Sequence, residues 1–182
     1  MRALVGCLLV AAAIGCGADE DRDATVAPAA AAVTDVPCDS HDVATPEVSR
    51  RDVAIGPLAL IGARYNANRR RDGFGGHGYK LPVTLLANKR ATLSVPPRWR
   101  GKVGLIYTLA DQRRAWEKGV RGAPRAVRFD ACASAEPRAR SGWPGGIVVD
   151  RPRCATLIVR VAGEIDEFRA RVPLGRRCHQ RG

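Results

Sequence analysis

No stretch of this sequence spells out a catalytic centre. The chain contains no H-E-x-x-H pair, no G-x-S-x-G elbow and no glycine-rich phosphate loop. Those absences remove the usual signatures of zinc hydrolases, α/β-hydrolases and nucleotide-binding enzymes. Histidine is confined to His41, His77 and His179. His41 stands beside Asp42, and His77 lies near Asp72 and Tyr79, so a hydrolase with a histidine-centred site is kept as an alternative; no catalytic residue is assigned. There is no CxxC pair to build a zinc knuckle, and no acidic cluster has EF-hand spacing. No metal ligand is therefore assigned, and no cofactor is expected. Long helical periodicity is missing too. The best helix candidate, residues 111–119, is barely two turns, which argues against βαβ units, whose crossovers need about a dozen residues.

What the sequence does have is short alternating segments punctuated by Gly and Pro. In residues 156–161, Leu157, Val159 and Val161 point one way and Thr156, Ile158 and Arg160 the other. In 167–172, Phe168, Ala170 and Val172 alternate with Glu167, Arg169 and Arg171. A period of two marks a strand with one buried face, and this pair predicts an antiparallel hairpin. Segments 90–95, 103–109 and 126–131 alternate in the same way. Asn88-Lys89 reads as a hairpin turn between 81–88 and 90–95. Gly56-Pro57 interrupts the apolar run 53–61, predicting a strand that bends, bulges or changes sheet, with Leu58 and Leu60 facing the core. Trp143, ahead of Pro144-Gly145-Gly146, reads as a core or rim aromatic, with ligand stacking as the other reading. Eight or nine such strands predict an all-β fold, an antiparallel β-sandwich or else a small β-barrel. Nothing in this part of the chain clearly resembles a characterised family.

The N-terminus is of another kind. Met1-Arg2 precedes an almost wholly apolar stretch, 3–18, that ends Ala13-Ile14-Gly15-Cys16. A short positive start followed by an apolar run of this length has the form of an export signal. Its end resembles the lipobox of bacterial lipoproteins, though Ala13 stands where a Leu is commoner. The resemblance implies a signal peptide over 1–15, a lipid on Cys16, a flexible tether over 16–36 and a single extracytoplasmic β domain over 37–182. It also implies a chain anchored to the cell membrane by its N-terminal lipid; a secreted protein without that anchor is the alternative. Export leaves Cys38, Cys132, Cys154 and Cys178, an even set that reads as two disulfides. Three pairings are open. Strand parity places Cys132 and Cys154 on outer faces and favours Cys132–Cys154, leaving Cys38–Cys178.

Charge supplies the remaining signal. Lys and Arg number 30 against 18 Asp and Glu, a net of +12, and only Lys80, Lys89, Lys102 and Lys118 are lysines. A surface rich in Arg favours anionic partners: phospholipid headgroups, an anionic envelope polymer or an envelope protein. Nucleic acid is set aside, because export removes the chain from it. A GC-rich genome would give the same Arg-, Ala- and Gly-heavy composition without any ligand. The sharpest candidate segment is 64–80, where Arg64, Arg69, Arg70, Arg71 and Lys80 are interleaved with Tyr65, Phe74, His77 and Tyr79. A second spot holds Arg98, Trp99, Arg100 and Lys102. Guanidinium groups bind phosphate or carboxylate in a forked manner, and the rings could stack or sit at a lipid interface. If both loops lie at one end of the domain, they form one binding face for a non-catalytic module.

Overall fold

The computed structural model describes residues 33–40 and 47–179. The segment read as signal peptide, Cys16 with its expected lipid, most of the segment read as tether and His41 lie outside the described residues. Among the described residues the domain is all-β with one α-helix, and its strands form three sheets. The first sheet has the order β1 (Thr34–Val36), β8 (Ala126–Asp130), β6 (Arg90–Ser94), β11 (Arg153–Val161) and β12 (Glu167–Leu174). The second runs β2 (Val53–Ile55), β3 (Leu58–Leu60), β5 (Val83–Leu86) and β9 (Arg140–Trp143). The third runs β4 (Gly78–Lys80), β10 (Gly146–Val149) and β7 (Val103–Ile106). Among the described strands every ladder is antiparallel except β1 with β8. The sheets share one core, and none closes into a barrel, so the barrel alternative is set aside. Thr34–Val36 lies inside the segment read as tether. It is instead a strand of the domain, with Val36 buried opposite Phe129.

The period-two pattern is met where it was clearest. Strands β11 and β12 form the expected hairpin, Leu157 opposite Ala170 and Ala155 opposite Val172. Leu157, Val159 and Val161 are buried and Arg160 is exposed. Gly56-Pro57 does not bend one strand but reverses it, because β2 and β3 pair with Ile55 opposite Leu58. Gly56 has φ +63, which suits the first position of a two-residue hairpin turn. Asn88 corrects the expectation in the other direction. Strands β5 and β6 are not paired with each other but belong to different sheets, so Asn88, at φ +59, turns a corner. Its side chain fixes that corner by donating to Ser134 O (2.7 Å) and accepting from Ser134 N (3.1 Å).

The third sheet is covered on both sides, which explains why the run at Ile147-Val148-Val149 is apolar without alternation. Ile147, Val149, Leu105 and Tyr107 face the main core. Val148 and Ile106 face helix α1 (Leu109–Lys118) and form a second buried cluster with Ala115 of the helix and with Phe74 from the turn before β4. Thr108 caps α1 by accepting from Asp111 N at 3.1 Å, satisfying one of the donors a helix start leaves open. Leu109, expected on the inner face of strand 103–109, begins the helix instead and is exposed. Trp143 is a core residue: it is 1 % exposed, its ring lies 5.1 Å from Phe129, and its Nε1 donates to Pro37 O at 3.1 Å.

The disulfides pair Cys38 with Cys132 and Cys154 with Cys178, correcting both expected bridges. Register supplies the reason. Asp130 lies opposite Arg90, and Ala91 lies opposite Val161, so Cys132 leaves the sheet at the Val161 end. Cys154 sits at the other end of β11, about 23 Å of strand away at 3.3 Å per residue. Parity reports the face of a strand and is silent on which end of the sheet a residue occupies. The parallel pairing of Val36 with Phe129 brings Cys38 to Cys132, and Cys178 turns back onto β11 shortly after its partner strand β12 ends.

Candidate functional site

Most of the outward arginines of the five-stranded sheet are already paired. Arg90 donates twice to Asp130 (2.6 and 2.8 Å) and Arg128 twice to Asp35 (2.6 and 2.8 Å). Arg160 and Arg169 share Glu167. The Arg90 guanidinium holds the Asp130 carboxyl below its ordinary value, and Arg169 does the same to Glu167. The charge left for a ligand is therefore elsewhere.

It gathers in a cleft of about 540 Å³ whose walls include Arg64, Tyr65, Arg69, Arg171 and Arg177. Three parts of the chain build it: the 3-10 helix Ala63–Ala67, the outward face of β12, and the segment after β12 that the Cys154–Cys178 bridge ties down. Gly175 N donates to Asn66 O at 2.7 Å and locks the third part to the first. Each guanidinium is aimed by one partner. Arg64 Nε donates to Asp52 O (3.0 Å), and Arg171 Nη1 donates to His179 O. With the Asn68 amide turned to satisfy its neighbours, its oxygen accepts from Arg177 Nε at 3.2 Å and Nη2 at 3.3 Å. Arg69 is paired with Asp72. Tyr65 is half exposed, with the Arg51 guanidinium 5.2 Å above its ring. A flat aromatic face with several pre-aimed guanidiniums is suited to phosphate or carboxylate.

Asp52 supports this cleft from behind. It is buried, and its carboxylate accepts from Ser49 N and Gly62 N, both at 2.6 Å. Burial pushes its pKa up, but the bonds from Gly62 and Ser49 outweigh that and the carboxyl sits below its ordinary value. A depressed acid contributes stability that is complete above the unfolded value of about 3.9 and is lost as pH falls through the folded one. Asp52→Ala is expected to lower the urea-unfolding free energy at neutral pH by about 1–3 kcal/mol, the cost of orphaned donors. The difference between variant and parent should shrink as the titration is repeated at acid pH. A gap that stays constant down to full protonation would refute this role.

The expected site residues divide. Arg64, Tyr65 and Arg69 meet in the first cleft, while Arg71 and His77 line a second one; Arg70, between Arg69 and Arg71 in the chain, is exposed. Phe74 and Tyr79 are buried, 8 % and 0 % exposed, and are not free for a ligand to stack on. Tyr79 donates to Arg69 O at 3.3 Å and so positions the arginine, and burial raises its pKa. Lys80 is exposed but borders an apolar groove beside Phe74 and Tyr107. Trp99 is wedged between Arg98 and Arg153, whose guanidinium carbons are 5.7 and 5.2 Å from its ring centre, and it packs on the core. Arg98 bonds Thr156; Arg100 and Lys102 are exposed. The two basic loops do meet, at Asp150: Arg71 Nη1 donates to Asp150 O (2.9 Å), and Asp150 N donates to Lys102 O (3.1 Å).

Arg171, Arg177, Lys118 and Arg121 are the cleft residues that reading the sequence missed. The alternation of β12 marked Arg171 as outward, but nothing local announced that it faces Arg64. The His77 imidazole makes no hydrogen bond to a described residue. Among the described residues, no group of three or more His, Cys, Asp and Glu is placed to hold a metal ion. No described helix is long and apolar enough to cross a membrane. No family model matches the chain, and neither a curated protein nor a solved structure is significantly similar to it.

Proposed function

We propose that this domain is a non-catalytic binding module for an anionic component of the cell envelope, exported and held at the membrane by a lipid on Cys16. The observation that carries the reading is the first cleft: Arg64, Arg69, Arg171 and Arg177, drawn from distant parts of the chain, surround the exposed ring of Tyr65. The net charge of +12 adds long-range attraction for the same partners. The apolar N-terminus and its lipobox-like end support the location, and the two disulfides fit an oxidising compartment.

Arg171→Ala combined with Arg177→Ala is expected to weaken binding to phosphatidylglycerol vesicles or to anionic wall extract tenfold or more, about 1.4 kcal/mol per factor of ten. Arg138→Ala, exposed and outside the cleft, should leave binding unchanged. Binding should also fall as salt is raised, since these contacts are screened. Equal losses in both variants would reduce the effect to bulk charge and sink the cleft. Mass spectrometry of the exported protein tests the anchor: an unmodified Cys16 at the mature N-terminus would remove it.

A further inference from the structure

The triplet Arg69-Arg70-Arg71 divides two clefts. Arg69 belongs to the first. Arg71 belongs to the second, about 630 Å³, where Lys118 and Arg121 of the helix end lie across from it and His77 completes the wall. Two residues of chain span at most about 7 Å, so the Cα atoms of Arg69 and Arg71, one lining each cleft, are adjacent. Arg70 stands exposed on the ridge between them.

Arg71 is not a loose surface arginine. Its Nη1 donates to Val149 O (3.1 Å) and Asp150 O (2.9 Å), which fixes its direction and leaves Nη2 and Nε without a partner among the described residues. The acids along this path are mostly engaged. Asp72 is paired with Arg69, and the Asp150 carboxylate accepts from Arg151 N and Arg153. Glu117 is the acid of the second cleft with no partner among the described residues. Cations therefore line the path from Arg177 through the triplet to Arg121. A single small anion could contact only a fraction of them.

We infer that the two clefts and the ridge between them form one track for a linear polyanion, a chain bearing repeated phosphate or carboxylate groups. The inference rests on the anion-binding reading above and deepens it by naming the kind of ligand. Both clefts are concave, so successive charges of a flexible chain can enter each in turn. A flat layer of headgroups would reach only their rims. Linking the groups makes the second contact intramolecular, which multiplies affinity without any further contact. Each phosphate neutralised also releases counterions, so the salt dependence steepens with the number of groups bound.

The test uses the full mature chain at fixed ionic strength, with inorganic triphosphate, long-chain polyphosphate and long-chain polyglutamate as probes. Long-chain polyphosphate should bind at least tenfold more tightly per phosphate than triphosphate. Lys118→Ala with Arg121→Ala, in the second cleft, should weaken the long chain about tenfold and flatten its salt dependence. The same pair should leave triphosphate bound in the first cleft. Arg171→Ala with Arg177→Ala should weaken both. Unfolding curves matching the parent establish that these variants fold, and Arg171→Lys with Arg177→Lys, which keeps charge without the fork, gives a second measurement if they do not. Tighter binding of polyglutamate than of polyphosphate supports the track and assigns it to carboxylate-bearing chains. Equal affinity per phosphate for short and long chains overturns the track and leaves the anion site standing. So does preference for phosphatidylglycerol vesicles over free chain at equal phosphate. If no anionic probe binds at all, the anion-binding reading itself fails.

Discussion

Phe129→Ala is expected to lower the free energy of unfolding by about 3–5 kcal/mol, the range for removing a buried aromatic ring. The residue is fully buried on β8, a strand with neighbours on both sides. Tyr107 meets it edge-on with centroids 5.1 Å apart and planes at 83°, and Trp143 lies tilted at the same distance. Phe129 and Trp143 come from strands of two different sheets and Tyr107 directly follows β7 of the third, so Phe129 is where the layers meet. A cavity there cannot close by moving one strand, because each ring is tethered independently. Tyr107 donates to Leu81 O at 3.0 Å and Trp143 to Pro37 O at 3.1 Å. The cost should therefore fall towards the upper end of the range. Urea titrations of variant and parent at equal slope give the difference directly. A loss below about 1.5 kcal/mol, the scale of a conservative core swap, would mean that the core is looser than this arrangement implies.

Replacing Cys38 and Cys132 together by Ala should cost about 4.7 kcal/mol on the chain-entropy account. The bridge closes residues 94 apart, and the stabilisation grows with the logarithm of the loop it removes from the unfolded chain. The same treatment of Cys154 and Cys178, which are 24 apart, gives about 3.5 kcal/mol. The first bridge also secures β1, a three-residue parallel strand at the edge of its sheet, and that reinforces the order. Ligand binding should rank the other way. Cys178 holds the segment carrying Arg177 beside Arg171 and Tyr65, so losing the Cys154–Cys178 bridge should weaken anion binding more than losing Cys38–Cys132. Denaturant unfolding and anion titration of the two double variants check both orders. A less stable Cys154/Cys178 variant with intact binding would contradict the assignment of roles.

Several expectations failed for one kind of reason. Asn88-Lys89 has the residues of a turn, and it is a turn, yet the strands it joins belong to different sheets. Local chemistry fixed the reversal, and distant partners decided what each strand paired with. Phe74 and Tyr79 sit in a glycine-rich, arginine-rich segment that reads as a surface loop. Gly146 of β10 lets the segment pack down onto the sheet: a Cβ there would lie 2.2 Å from the Tyr79 backbone oxygen and 2.4 Å from the Phe74 ring. The glycine that permits the approach is some seventy residues away, and no pattern within 64–80 announces it.

Alternation of apolar and polar side chains is written at a spacing of two, so strands such as β6, β8 and β11, the β11–β12 hairpin and the all-β class could be read from the sequence alone, while β1, β4 and β9 could not. The helix Leu109–Lys118 overlaps the best helix candidate of the sequence, residues 111–119, and the charge surplus followed from composition. Strand order, the bridge partners and the meeting of Arg64 and Arg69 with Arg171 and Arg177 were decided only by the tertiary structure. They depend on which backbone donors and acceptors pair across distances of a hundred residues, and on which apolar faces then stack. Neither leaves a trace in the spacing of neighbouring residues.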